Sequence, residues 1–191
     1  MINKTLAILA GGKSSRMDYN NKALLLYKEK TFIENIINAG NAFSEKVIIA
    51  NKKEEYRAFN LSIYNDIYLD KGPLGGIHSA LVNSKNDKVL CIACDMPLIS
   101  SDILNVIGSI NDNYEVLVPK INGRLQPMCA VYSKSLIPKI EKALLSGEYK
   151  LQKFILSTDY KIIDDNYYND LKEDYFTNIN TRKEYELLEE N

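Results

Sequence analysis

The sequence predicts an α/β fold, a mainly parallel sheet flanked by helices in a single domain spanning residues 1–191. Three observations predict it. Short apolar runs alternate along the chain with segments whose apolar residues recur at helical spacing. The first apolar run ends in Gly11-Gly12 followed by basic residues, the order in which α/β proteins leave a strand to hold phosphate. No repeat, low-complexity linker or shift of composition divides the 191 residues, and a hydrophobic content of 46% is enough for one substantial core.

Thr5–Ala10 is the first expected strand. Thr31–Ala42 is expected to be helical, with Phe32, Ile33, Ile36 and Ile37 on one face and Gly40 near its end. Val47–Ala50 and Leu61–Tyr64 are the second and third strands, and Ile77–Asn83 continues as helix after Gly72-Pro73-Leu74-Gly75-Gly76. Lys88–Ala93 is the expected central strand, ending in Cys94-Asp95-Met96-Pro97. Ser100–Ile110 is a helix opened by serine caps, with Asp102 in its first turn. Glu115–Pro119 and Met128–Tyr132 are strands around Asn122-Gly123, a two-residue hairpin turn. Ser135–Leu145 is helical with Gly147 beyond its end, and Lys150–Leu156 is a further helix. Lys161–Ile163 is a last strand, and a final helix runs from Thr181. Six of the thirteen tyrosines fall between Tyr149 and Tyr185 and are expected as half-exposed rings covering the sheet edge.

Composition excludes several function classes. A formal net charge of −1 gives no global attraction to nucleic acid or to an anionic membrane. No apolar run approaches the roughly 18 residues that span a bilayer, and Thr5–Ala10 lacks the architecture of a signal peptide. Three cysteines do not make a disulfide scaffold, so the expected compartment is the reducing cytoplasm. Cys91 and Cys94 form a C-x-x-C, but along a strand positions three apart point to opposite faces and cannot share a metal.

The candidate site gathers at strand ends. Gly11 and Gly12 let the backbone approach a ligand without a Cβ in the way and can present successive N–H groups to an anion. Lys13, Arg16 and Lys22 add mobile positive charge. The stretch is neither a Walker motif, which would need glycine where Ala7 stands, nor a G-x-G-x-x-G. A solvated Gly-Gly turn is the alternative reading. Ligands of open α/β sheets collect at the carboxyl ends of the strands, and Asn51, Asp66 and Asp95 each follow an apolar run. A carboxylate there suits Mg²⁺, which takes few protein oxygens and keeps waters and substrate phosphates. Asp95 could instead cap the next helix, but Ser100 and Ser101 already supply that cap.

Leu9-Ala10-Gly11-Gly12-Lys13-Ser14-Ser15-Arg16-Met17, with Lys22 beyond, resembles the signature loop of Rossmann-like, GT-A-like nucleotidyltransferases. Asp66, Gly72-Pro73-Leu74-Gly75-Gly76, Cys94-Asp95-Met96-Pro97-Leu98, Gln126-Pro127 and Asn178-Ile179-Asn180-Thr181 complete a likeness to the molybdenum cofactor guanylyltransferases, running from about Leu6 to Glu184. The resemblance implies that Leu9, Ala10 and Gly11 line the nucleotide through backbone groups, that Lys22 meets the phosphates, that Asp66 binds nucleotide, and that Asp95 binds nucleotide and Mg²⁺. Asp18 stands where the family usually has glycine, Asn21 where it has aspartate, and Asn51 follows Ala50 at the base-contacting position.

The implied reaction moves GMP from GTP to the terminal phosphate of molybdopterin, releasing pyrophosphate. The attacking phosphate is already an anion, so positioning and charge neutralisation suffice. Lys13, Arg16, Lys22 and Asp95 would carry them, with GTP and molybdopterin as substrates and molybdoenzymes or their chaperones as transient partners. Arg124, Gln126 and Pro127 are candidates for the pterin side or ordinary hairpin residues, and Asn180 meets phosphate or metal or helps to cap the last helix. His78 is expected on a helix surface rather than against substrate. The rival reactions are cytidylyl transfer to the same pterin, which Gly12 argues against, and nucleotidyl transfer to a sugar or alcohol phosphate. A non-catalytic nucleotide-binding regulator is the remaining alternative.

Overall fold

The computed structural model describes residues 1–11, 21–164, 166–168 and 171–190. In chain order, the elements are β1 (Ile2–Leu9), β2 (Leu26–Tyr27), β3 (Lys30–Thr31), α1 (Phe32–Ala39), β4 (Phe43–Ile49), β5 (Ser62–Tyr64), α2 (Gly72–Asn83), β6 (Lys88–Ala93) and α3 (Ser101–Ser109). They continue with β7 (Val116–Ile121), β8 (Arg124–Leu125), β9 (Cys129–Ser133), α4 (Ile137–Leu145), α5 (Leu151–Ile155), β10 (Tyr160–Ile163) and α6 (Arg182–Glu189).

The main sheet runs β10-β7-β9-β6-β1-β4-β5, with β8 attached to β7. Strands β6, β1, β4 and β5 are parallel to one another, and β9 is antiparallel to both of its neighbours. The expected central strand is in the middle of this order.

Period-two alternation divides the core between the sheet's two faces. Leu6, Ile8, Ile48, Leu90 and Ile92 pack with Ile33 and Ile36 of α1 and Ile103, Leu104 and Ile107 of α3. Ala7, Leu9, Val47, Ile49, Val89 and Cys91 pack with Leu74, Ile77 and Leu81 of α2, and with α4 and α5. Each fully buried Leu or Ile contributes on the order of 1.5–3 kcal/mol. Cys91 joins the second cluster and Cys94 packs against the first, as their spacing predicted.

Capping explains several boundaries. Thr31 caps α1 rather than lying in it, in a reciprocal box with Glu34, and Thr181 does the same for α6 with Glu184. Ser100 caps α3, its hydroxyl accepting from the N–H of Ile103. Helix α1 ends at Ala39, short of the expected Ala42, because Gly40 caps it and β4 begins at Phe43. Helix α2 begins at Gly72, so the glycine-rich stretch is its first turns, not a loop before Ile77. Pro73 fits there because the first turn has no use for its missing N–H.

Asn122 and Gly123 both have positive φ, 48° and 77°, and close a two-residue hairpin. The strand it pairs with β7 is β8, while β9 returns to β7 further along. A second hairpin, β2–β3, turns on Lys28 and Glu29 at φ 49° and 68° and has no glycine to announce it.

His78 corrects its expected place. It is 2% exposed on the inner side of α2, its Nε2 3.1 Å from Oε1 of Glu141 in α4, with Tyr68 edge-on to its ring. Packing between α2 and α4 leaves no helix surface at that position. No helix among the described residues is long and apolar enough to cross a membrane.

Candidate active site

Strand register places the site. Leu9 is paired with Ile49 and with Ala93, and Ile49 with Tyr64. Two residues beyond these partners lie Gly11, Asn51, Asp95 and Asp66, one on each of four adjacent parallel strands' carboxyl ends. Bonds past the ladder extend the alignment: the Ala10 N–H donates to the Ile49 carbonyl at 2.9 Å, and the Cys94 N–H to that of Leu9 at 3.2 Å.

Asn51 and Asp66 hold each other. Asn51 Nδ2 donates to Asp66 Oδ2 at 3.0 Å, and the Asp66 N–H donates to Asn51 Oδ1 at 3.0 Å. The other carboxylate oxygen, Asp66 Oδ1, is buried without a hydrogen-bond partner among the described residues. Burial pushes the Asp66 carboxyl above the usual carboxylate range, and the Asn51 bond partly offsets this. Asp66 lines a hollow of about 190 Å³ with Leu9, Gly11, Ile49, Pro73 and Met128. Ser79 Oγ accepts the Ile67 N–H at 2.8 Å and donates to the Gly75 carbonyl at 3.1 Å, fixing the chain after Asp66 to α2.

Asp95 lines the adjoining hollow, about 230 Å³, with Ala10, Asn21, Lys22, Cys94 and Asn180. Leu9, Gly11 and Met128 border both, so the two are lobes of one cleft. Asp95 Oδ1 is also buried, with no hydrogen-bond partner among the described residues. Burial raises the Asp95 carboxyl's pKa, and the nearby Lys22 ammonium pulls it part of the way back. The Ile179 N–H donates to the Asp95 backbone carbonyl at 2.9 Å, which brings the Asn178-Ile179-Asn180-Thr181 motif to this lobe. Asn180 Oδ1 accepts from Lys22 Nζ at 3.0 Å, and Asn178 Oδ1 is buried with no hydrogen-bond partner among the described residues.

Of the expected site residues, Leu9, Ala10, Gly11, Lys22, Asn51, Asp66 and Asp95 therefore share one cleft. Gly12, Lys13 and Arg16 lie outside the described residues, as does Asp18. Arg124, Gln126 and Pro127 do not line either lobe; the Gln126 N–H and Pro127 carbonyl bond to Pro119 and Tyr132, and Met128 reaches the cleft instead. Tyr56 is a contributor that sequence reading missed: its hydroxyl touches both Ala10 and Asn21. Within the polar run Lys52–Arg57 nothing marks it as buried.

At the opposite end of the sheet, Lys4, Lys85, Asn86, Lys88 and Asn111 line another polar hollow. Lys4 is 2% exposed and gives all three of its donors to Gly108, Ile110 and Asn111, closing the end of α3. That cluster is built for the fold.

Comparison with known proteins identifies the family. The family model of the MobA-like NTP transferase domain matches residues 6–161. This chain belongs to that family. A Clostridium perfringens protein named as a probable molybdenum cofactor guanylyltransferase is 48% identical over 98% of this chain and 97% of its own. A Carboxydothermus hydrogenoformans protein of the same name is 36% identical over 98% and 96%. The crystal structure of molybdopterin-guanine dinucleotide biosynthesis protein A from Archaeoglobus fulgidus superposes with a TM-score of 0.80 over 97% of each chain at 22% identity, a match of fold. The MobA-like NTP transferase chain is thus a nucleotidyltransferase.

Proposed function

We propose that this enzyme transfers GMP from GTP to molybdopterin, forming the guanine dinucleotide and releasing pyrophosphate. Relatives at 48% and 36% identity are named as probable molybdenum cofactor guanylyltransferases, which supports the reading. The observation that carries the reading is the pair of buried carboxylate oxygens, Asp66 Oδ1 and Asp95 Oδ1, without partners among the described residues in the two lobes of one cleft. A buried polar atom without a partner costs stability, so a chain that keeps two at one site has a use for them.

Asp66 faces the lobe bordered by apolar Leu9, Ile49 and Met128 and serves the base. Guanine offers N1–H and an exocyclic amine side by side, and a carboxylate accepts from both. Cytosine would turn its N3 lone pair toward the same charge. Asn51 holds Asp66 Oδ2 and so aims the carboxylate. In the other lobe Lys22 neutralises phosphate charge, and Lys13 and Arg16 are assigned the same task from sequence. Backbone groups of Leu9, Ala10 and Gly11 line the nucleotide between the lobes.

The donor set at Asp95 fits Mg²⁺: a single buried carboxylate with a free oxygen beside a lysine, where the ion keeps waters and substrate phosphates as its other ligands. Bound there, Mg²⁺ would supply charge neutralisation on the phosphates. Asp95 would hold it, Lys22 would withdraw charge from the leaving pyrophosphate, and the acceptor phosphate would attack the α-phosphorus without a general base. The reading places the enzyme in the cytoplasm, handing its product to molybdoenzymes or their chaperones.

Titration of the protein with GTP, CTP, ATP and UTP in the presence of Mg²⁺, followed by pyrophosphate release on adding molybdopterin, tests it. GTP alone is expected to bind tightly and turn over. Equal use of CTP would transfer the reading to a cytidylyltransferase.

A further inference from the structure

Tyr56 lies in the 3₁₀ segment Lys53–Phe59 and is 2% exposed, its ring tilted against Phe59. Its hydroxyl stands 3.3 Å from the Ala10 carbonyl and 2.9 Å from Asn21 Nδ2. Ala10 ends the run out of β1, and Asn21 immediately precedes Lys22, so one hydroxyl joins the two ends of the signature loop.

The Tyr56 hydroxyl reaches both ends of the Asn21 amide, Nδ2 at 2.9 Å and Oδ1 at 3.1 Å. Asn21 Oδ1 accepts the Ala23 N–H at 3.0 Å, capping the short turn that carries Lys22. Asn21 Nδ2 then has two hydrogens, which go to the Glu55 carboxylate and to the Tyr56 oxygen. The Tyr56 hydrogen faces two acceptors, Asn21 Oδ1 at 3.1 Å and the Ala10 carbonyl at 3.3 Å. Glu55 is also paired with Lys52 at 3.4 Å. An aspartate at position 21 has no hydrogens to give, and its charge would face Glu55. The amide at Asn21 and the carboxylate at Glu55 are therefore a matched pair.

We propose that Tyr56 is a positioning residue for nucleotidyl transfer: its hydroxyl, through Asn21 and Glu55, sets where the Ala10 backbone and the Lys22 ammonium stand for the triphosphate. This rests on the nucleotidyltransferase reading of the cleft. The clasp touches the phosphate lobe and not the Asn51–Asp66 pair, so it acts on phosphate and leaves base recognition alone. Tyr56→Phe keeps the buried ring and removes only the hydroxyl.

The test measures GTP and guanosine binding, kcat and KM for wild type, Tyr56→Phe, Asn21→Asp and Asn21→Asp/Glu55→Gln. Tyr56→Phe should weaken GTP about fivefold, the size expected for one lost hydrogen bond, with guanosine changed by less than about twofold and KM moved more than kcat. Asn21→Asp should weaken GTP by about tenfold or more, and adding Glu55→Gln should recover most of that loss by removing the facing charge. Parallel losses for GTP and guanosine, or no recovery in the double variant, overturn the clasp while wild-type binding stands. Failure of wild type to bind GTP overturns the underlying reading, and the clasp falls with it.

Discussion

The ammonium of Lys22 stands 3.0 Å from Oδ1 of Asn180, a residue 158 positions later in the chain. That bond draws the segment before α6 across the phosphate lobe, where the Ile179 N–H also holds the Asp95 carbonyl. Lys22 is thus aimed before any nucleotide arrives. Lys22→Ala should weaken GTP more than GMP, and GMP more than guanosine, because a point charge acts on the phosphates it neutralises. Asn180→Ala should show the same order at a smaller size, roughly two- to fivefold for GTP, since it removes one hydrogen bond and keeps the charge. Calorimetric titration of the three ligands reads both.

Asp95→Asn should separate activity from stability. Transfer should fall by two or more orders of magnitude, because the oxygen offered to the metal loses its charge. The thermal midpoint at neutral pH should rise, because the buried carboxylate no longer has to be charged away from water. The sign follows from linkage. Burial raises the folded carboxyl's pKa above its ordinary 3.8, so the folded chain binds more protons than the unfolded chain between those two values. Stability from this group therefore falls as pH rises through that window, and the penalty is complete above it. The stability gap between variant and wild type should shrink on acidification, as read by urea midpoints across pH.

Asp66→Ala should narrow the preference for GTP over CTP by an order of magnitude or more while bound nucleotide still reacts. Asn51→Ala should narrow it less, since Asp66 keeps its charge and loses only its aim. Competition between the two nucleotides in the transfer assay measures both. Full selectivity in Asp66→Ala would mean that the base is read elsewhere in the cleft.

Gly11 and Gly76, which approach this carboxylate, and Gly75, which does not, should answer alanine differently. A Cβ on Gly11 would stand 3.1 Å from Asp66 Oδ2, close enough to disturb the Asn51 pair, so KM for GTP should rise. A Cβ on Gly76 meets Asp66 Oδ1 at an ordinary 3.7 Å and should change KM little. Gly75→Ala sets a Cβ 2.9 Å from the Tyr68 backbone carbonyl, where only the main chain can yield. It should lower the thermal midpoint.

The alternation of strand and helix, the central strand Lys88–Ala93 and the Ser100 cap were legible because they depend on local periodicity and capping chemistry. So were the strand-end polar residues, since an apolar run that stops at Asn51, Asp66 or Asp95 shows where a buried strand meets the surface. The β2–β3 hairpin was not legible, because Lys28 and Glu29 take positive φ without the glycine or asparagine that normally announces it. Burial of His78 was hidden for a different reason. The helical pattern of α2 shows that it packs, but α4, 63 residues on, supplies Glu141 and covers that side.

By itself the sequence determined which residues stand at strand ends and which chemistry they offer, because strand length and residue type are local properties. Only the tertiary structure decided that Gly11, Asn51, Asp66 and Asp95 stand level with one another. Pairing register is set by packing the two faces of the sheet, and a slip of one residue would turn every side chain to the other face. The contacts of Tyr56 with Ala10 and of Lys22 with Asn180 likewise join residues 46 and 158 positions apart. Such contacts exist only once the core has closed, because each fixes a side chain that the unfolded chain leaves free.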